Sequence, residues 1–90
     1  MRFEFDAVKA AQNLKKHKVS FEEAASVFGD PMAYTFSDPD HSVGEYRWLT
    51  FGTSAQGKIL SVAYTERRGK VRMISARLST KQERRIYEET

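Results

Sequence analysis

The sequence predicts an α+β fold: an N-terminal strand and a two-helix hairpin packed on an antiparallel β-sheet, with a short helix at the C-terminal end. Three observations carry this expectation. Apolar residues recur at helical spacing twice before Pro31. After Pro31 the pattern changes to β-favouring alternation broken by turn residues. At Ser20–Glu23 and at Thr80–Glu83 a Ser or Thr stands three residues before a Glu, the pattern in which each side chain satisfies the other's backbone N–H at a helix start.

Taken in order, Phe3 and Phe5 alternate with Arg2 and Glu4, which suits a short half-buried strand. Asp6 then offers a side-chain oxygen to the free N–H groups of a first helix, from about Ala7 to Lys16. Ala7, Ala10, Ala11 and Leu14 are expected on its inner face, with Lys9, Gln12, Lys15 and Lys16 outside. Ser20 and Glu23 open a second helix whose stripe is Phe21, Ala24, Ala25 and Phe28, and Gly29-Asp30-Pro31 ends it because proline cannot continue a helix. A strand is expected near Ala33–Phe36, a polar loop over Ser37–Gly44, and strands over Tyr46–Thr53, Ile59–Thr65 and Val71–Leu78. The turns between the last three are Ser54-Ala55-Gln56-Gly57 and Arg67-Arg68-Gly69. Thr80 and Glu83 begin a charged final helix from about Lys81 to Glu88. All helices are expected to cover one face of the sheet, and residues 1–90 to form one domain.

Composition narrows the chemistry. Zero cysteines exclude disulfides, thiolate metal sites and a cysteine nucleophile, and two histidines make a structural zinc site a poor fit. No stretch approaches the roughly 18 to 20 apolar residues of a membrane span. The segment Met1-Arg2-Phe3-Glu4-Phe5-Asp6 carries acids where a secretory signal needs an apolar run, so a cytoplasmic location is expected. The net charge is only +3, but between Lys58 and Arg85 nine basic residues face two acids, Glu66 and Glu83. That asymmetry makes the C-terminal part the expected polyanion-facing side.

In the last strand simple alternation puts Val71, Met73, Ser75 and Arg77 on one face and Arg72, Ile74, Ala76 and Leu78 on the other. The aliphatic set Ile74, Ala76 and Leu78 is assigned to the helix-covered side, which sends Arg77 to the open face. A guanidinium stays charged and can donate two parallel hydrogen bonds to phosphate, so Arg77 with Arg67, joined by Arg47, could form a phosphate clamp. The competing reading makes them solvated strand-edge charges, or salt-bridge partners of Glu45 and Glu66. His41 and Glu45 are candidate proton carriers, Glu45 on condition that its surroundings raise its pKa. His17, closing the first helix, is read as a partner for the helix dipole. Asp38, Asp40, His41 and Glu45 match no defensible metal-ligand spacing. Of the aromatics Tyr34, Phe36, Tyr46, Trp48, Phe51 and Tyr64, most are expected in the core, with one or two left to stack on bases.

Read in order, Phe3-Glu4-Phe5-Asp6, Lys9-Ala10, Asn13, Lys16-His17, Val19-Ser20-Phe21-Glu22-Glu23-Ala24, Val27-Phe28 and Asp30-Pro31 resemble the N-terminal half of the BrnT toxin family. His41-Ser42, Glu45-x-Arg47, Gly52, Tyr64-Thr65-Glu66-Arg67, Arg72-x-Ile74-Ser75-Ala76-Arg77, Glu83-Arg84 and Tyr87 extend the resemblance over nearly the whole chain. Two positions depart from it: Lys18, where the family commonly has glycine, and Phe5, where tryptophan is common. A left-handed turn at Lys18 would cost on the order of 1 kcal/mol relative to glycine.

The resemblance implies a RelE-like fold and a type II toxin role. It also implies RNA cleavage without metal or other cofactor, arrest of translation, and neutralisation by a BrnA-like DNA-binding antitoxin in a hetero-oligomer. It makes Arg67 and Arg77 the leading catalytic candidates with His41 and Glu45 behind them, and gives Arg47, Arg72 and Lys70 to RNA binding. The rival from another class is a non-catalytic module of the same fold that only docks nucleic acid or protein.

Overall fold

The structure, a computed structural model, describes residues 2–38 and 45–89. Strand β1 is Arg2–Glu4, helix α1 Ala7–His17 and helix α2 Phe21–Ser26, which tightens into a 3₁₀ turn at Val27–Gly29. Strands β2 (Tyr34–Ser37), β3 (Trp48–Thr53), β4 (Ile59–Arg67) and β5 (Lys70–Leu78) follow, and helix α3 (Lys81–Glu89) comes last. The sheet order is β1-β5-β4-β3-β2. Strands β2 to β5 form the expected antiparallel meander, and β1 adds a parallel edge beside Lys70–Arg72, so the sheet is mixed. Among the described residues no helix is long and apolar enough to cross a membrane.

The helix starts follow the sequence signals, with one diversion. Asp6 Oδ1 accepts from the N–H groups of Val8 and Lys9, and Thr80 and Glu83 cap each other reciprocally. Ser20 Oγ accepts from the Glu23 N–H, but the Glu23 carboxylate accepts from Ser54 Oγ at 2.7 Å and so ties α2 to the β3–β4 turn. Between β4 and β5 the turn is the residue pair Arg68-Gly69, both at positive φ (54° and 76°), the left-handed geometry that matches strand twist in a two-residue hairpin.

The core lies between the sheet and the α2 side, where Val19, Phe21, Ala24 and Val27 meet Leu60, Val62, Tyr64, Val71, Met73 and Ala76. Two expectations about faces are corrected here. In β5, Ala63 pairs with Ser75 but Tyr64 with Met73, so Ile74 is an extra residue, a β-bulge. The bulge resets the alternation: Val71 and Met73 face the core before it and Ala76 after it, while Ile74 is half-buried and Leu78 is exposed. Arg72 and Arg77 consequently share the open face, which simple alternation forbids.

The inner face of α1 is also only in part the expected alanine and leucine stripe: Ala10 packs against the core, but Ala7 and Ala11 are exposed. Asn13 is its buried residue, whereas Leu14 is 50% exposed. Among the described residues the edge of β5 beyond Arg72 has no strand partner, and α1 lies along it. The Asn13 amide donates to the carbonyls of Ala76 and Val19 and accepts from the Ala76 N–H, taking the place of a peptide group. An unpaired strand edge calls for a polar side chain there, because buried backbone groups must be hydrogen-bonded.

Finally, α3 does not join the other helices on the core side. Its Glu83 contacts Ser61 and Arg77, a cross-strand row on the face opposite the Leu60 and Val62 side chains, and its Tyr87 hydroxyl reaches Thr53 and Asp30 at the end of β3.

Candidate RNA-binding site

The open face places the predicted basic residues in two separate groups. Arg67 stands opposite Lys70, and Arg77 opposite Ser61, six residues away along β4. At about 3.3 Å per residue their backbone positions are roughly 20 Å apart, and the two side chains are held by different carboxylates, Arg67 by Glu45 and Arg77 by Glu83. The expected Arg67–Arg77 clamp is therefore not assembled.

Near the β4–β5 hairpin, Arg67 is joined by Arg47 and Arg72 around a polar pocket that Glu45, Thr65, Lys9 and Ile74 complete. Thr65 and Arg72 face each other across β4 and β5, and Arg67 is two residues beyond Thr65 on the same face. Glu45 organises the group: its carboxylate accepts from Arg67 Nη2 at 2.6 Å, from Arg67 Nε at 3.3 Å and from the Thr65 hydroxyl at 3.3 Å. Arg72 Nη1 donates to Glu4 at 3.4 Å. The Arg67 hydrogen bonds hold the Glu45 carboxyl below the usual carboxylate range. The condition set for Glu45 as a base, a raised pKa, is thus not met in the resting site. The Arg67–Glu45 pair realises one of the salt bridges expected from the sequence; Glu66 forms no ion pair among the described residues.

Lys70 and Arg68 flank the hairpin beside Arg67 and Glu4, adjoining this pocket. His41 lies outside the described residues, as do Asp40 and the rest of 39–44. Tyr46 is 74% exposed and stacks on Trp48 with ring centroids 6.2 Å apart, whereas Phe51 and Tyr64 are buried. Among the described residues no three His, Cys, Asp or Glu side chains converge to hold a metal.

Arg77 belongs to a different construction. Its guanidinium donates to both Glu83 oxygens, at 2.7 and 2.9 Å, and Glu83 also accepts from Ser61 Oγ and the Thr80 N–H. The Arg77 hydrogen bonds pull the Glu83 carboxyl down to about 2 against burial, which alone would raise it. Here the arginine fastens α3 to the sheet.

The sequence alone assigns Thr65 and Lys9 no role in the site. Thr65 is recoverable from alternation with Arg67, but nothing in a helix pattern indicates that Lys9 meets a strand hairpin.

A small mixed sheet whose open end carries three arginines around an ion-paired glutamate defines an α+β protein with a basic surface pocket. The family model described as the ribonuclease toxin BrnT of type II toxin–antitoxin systems matches residues 5–83, and the chain belongs to that family. The crystal structure of the Brucella abortus ribonuclease toxin BrnT matches with a TM-score of 0.71 at 19% sequence identity, over 90% of this chain and 99% of that one. At that identity the likeness establishes the shared fold. A comparison with curated proteins gives no significant match.

Proposed function

We propose that this chain is an endoribonuclease that acts in the cytoplasm without a metal, arrests translation by cutting RNA, and is silenced by a BrnA-like antitoxin in a hetero-oligomer. The observation that carries the reading is the convergence of Arg47, Arg67 and Arg72 with Glu45 in one pocket on the open face. Three permanently charged guanidinium groups suit a phosphate that gains negative charge during reaction, and preorganised donors of this kind typically contribute a few kcal/mol each.

In the proposed reaction the RNA 2′-oxygen attacks the adjacent phosphorus. The new 2′-O–P bond forms as the P–O5′ bond breaks, leaving a 2′,3′-cyclic phosphate and a 5′-oxygen that takes a proton from water to become the 5′-hydroxyl. Arg67 and Arg72 stabilise the charge on the phosphate oxygens, with Arg47 and Lys70 holding neighbouring phosphates. As the phosphate competes for Arg67, Glu45 loses the hydrogen bonds that depress its pKa and becomes competent to take the 2′ proton. His41 is the second candidate for that proton. Arg77 is reassigned from the reacting centre to the α3 attachment.

The test is incubation of antitoxin-free protein with single-stranded RNA in excess EDTA, followed by analysis of product ends. Cyclic-phosphate ends, and no cutting where the 2′-hydroxyl is replaced by hydrogen, are expected. Intact RNA that is nevertheless retained in a salt-sensitive manner would make the chain a binding module instead.

A further inference from the structure

The arginine pocket is continuous with a second depression. The two share Lys9 and Ile74, and the second runs on between α1 and the β5 edge past Gln12, Lys16 and His17. The groove exists because β1 pairs only with Lys70–Arg72, leaving the rest of the β5 edge to α1, and because the Ile74 bulge bends the strand there. Helix α1 contains no acidic residue. Lys9 and Lys16 are seven residues apart, two turns along one side of the helix and about 10 Å. Among the described residues neither has a carboxylate partner.

Resting on the nuclease reading for the identity of its occupant, we propose that this α1–β5 groove is a second RNA subsite. It holds the sugar–phosphate backbone of nucleotides flanking the cleaved one, with Lys16 as its phosphate contact and Gln12 as a neutral hydrogen-bonding partner. A strand seated in the arginine pocket must leave it, and this exit is lined with positive charge that has no carboxylate partner among the described residues. Continuity with the pocket favours RNA over an acidic protein segment, which would have no reason to start at Lys9.

The test uses fluorescein-labelled, fully 2′-deoxy single strands of four and twelve nucleotides, which bind without being cut. Lys16→Glu is compared with Lys15→Glu, the same charge change at an exposed neighbour that does not line the groove. Lys16→Glu is expected to weaken binding of the twelve-nucleotide strand about tenfold and to lower its salt-dependence slope by about 0.7. The four-nucleotide strand should change less than twofold, and Lys15→Glu should change either strand less than twofold. The proposal is overturned if both variants weaken the long strand equally, if the short strand loses as much as the long one, or if the wild type holds both lengths equally. Undiminished long-strand binding by Lys16→Glu also overturns it, and leaves the groove to an acidic protein partner. None of these outcomes depends on catalysis, so a failed nuclease reading shows separately, as intact RNA with the wild-type protein.

Discussion

Lys18 closes α1 in the left-handed conformation, φ 60° and ψ 28°, and its N–H still reaches the Leu14 carbonyl. A side chain with a Cβ pays about 1 kcal/mol for that geometry, and glycine does not. Lys18→Gly is therefore expected to stabilise the protein by about 1 kcal/mol, raising Tm by about 4–8 °C for a domain of this size. Calorimetry of the two proteins checks it, and an unchanged or lower Tm would mean that the lysine is not strained. Arg68 adopts the same conformation at φ 54°, next to Arg67 at the rim of the arginine pocket. The hairpin thus keeps a second basic side chain directly after Arg67 where Asn or Gly would fit the backbone better.

Between α1 and β5 a single amide does the work of a missing strand. Replacing Asn13 with Leu strands the Ala76 N–H and two carbonyls in a buried position, at a cost of about 3 kcal/mol. A urea titration would register the loss, and a midpoint within error of wild type would show that water replaces the amide. Gly52 has a different constraint: a Cβ there would lie 2.6 Å from Val27 Cγ1 and 3.2 Å from Ala33 Cβ, so Gly52→Ala should destabilise by about 1–3 kcal/mol through overpacking. These elements also show what the sequence made legible. Caps at Asp6, Ser20 and Thr80, and the turn residues around Gly57 and Gly69, are local chemistry, and the helices and hairpins appear where that chemistry put them. The Ile74 bulge and the edge role of Asn13 depend on what lies across the sheet, so period-two counting misassigned β5 and helical counting misassigned α1.

For the whole molecule, the open face divides into a reactive end and a fastening end. Separation of Arg67 from Arg77 was not legible, because both are arginines on the same face and only the strand register sets them far apart. At the fastening end, Glu83 is held near pKa 2 in the folded protein against an ordinary value of 4.5. A lowered folded-state pKa contributes stability that is fully present above about pH 4.5 and is lost as the pH falls toward 2. Because the pair is partly open to solvent, the expected loss is only about 1 kcal/mol. Wild type should lose stability over that interval more steeply than Glu83→Gln, and identical pH profiles would remove Glu83 from the account.

The division between the two ends is tested most directly by single-turnover cleavage of RNA by wild type, Arg67→Ala, Arg72→Ala and Arg77→Ala, with Tm measured on each. The account predicts that Arg67→Ala and Arg72→Ala each lose about a hundredfold or more in rate at nearly unchanged Tm, as removal of a transition-state donor does. Arg77→Ala should instead lower Tm and leave the folded protein cutting within tenfold of wild type. Abolished cleavage by Arg77→Ala at wild-type Tm, with Arg67→Ala cutting normally, would contradict it and move the reacting phosphate to the α3 end of the sheet.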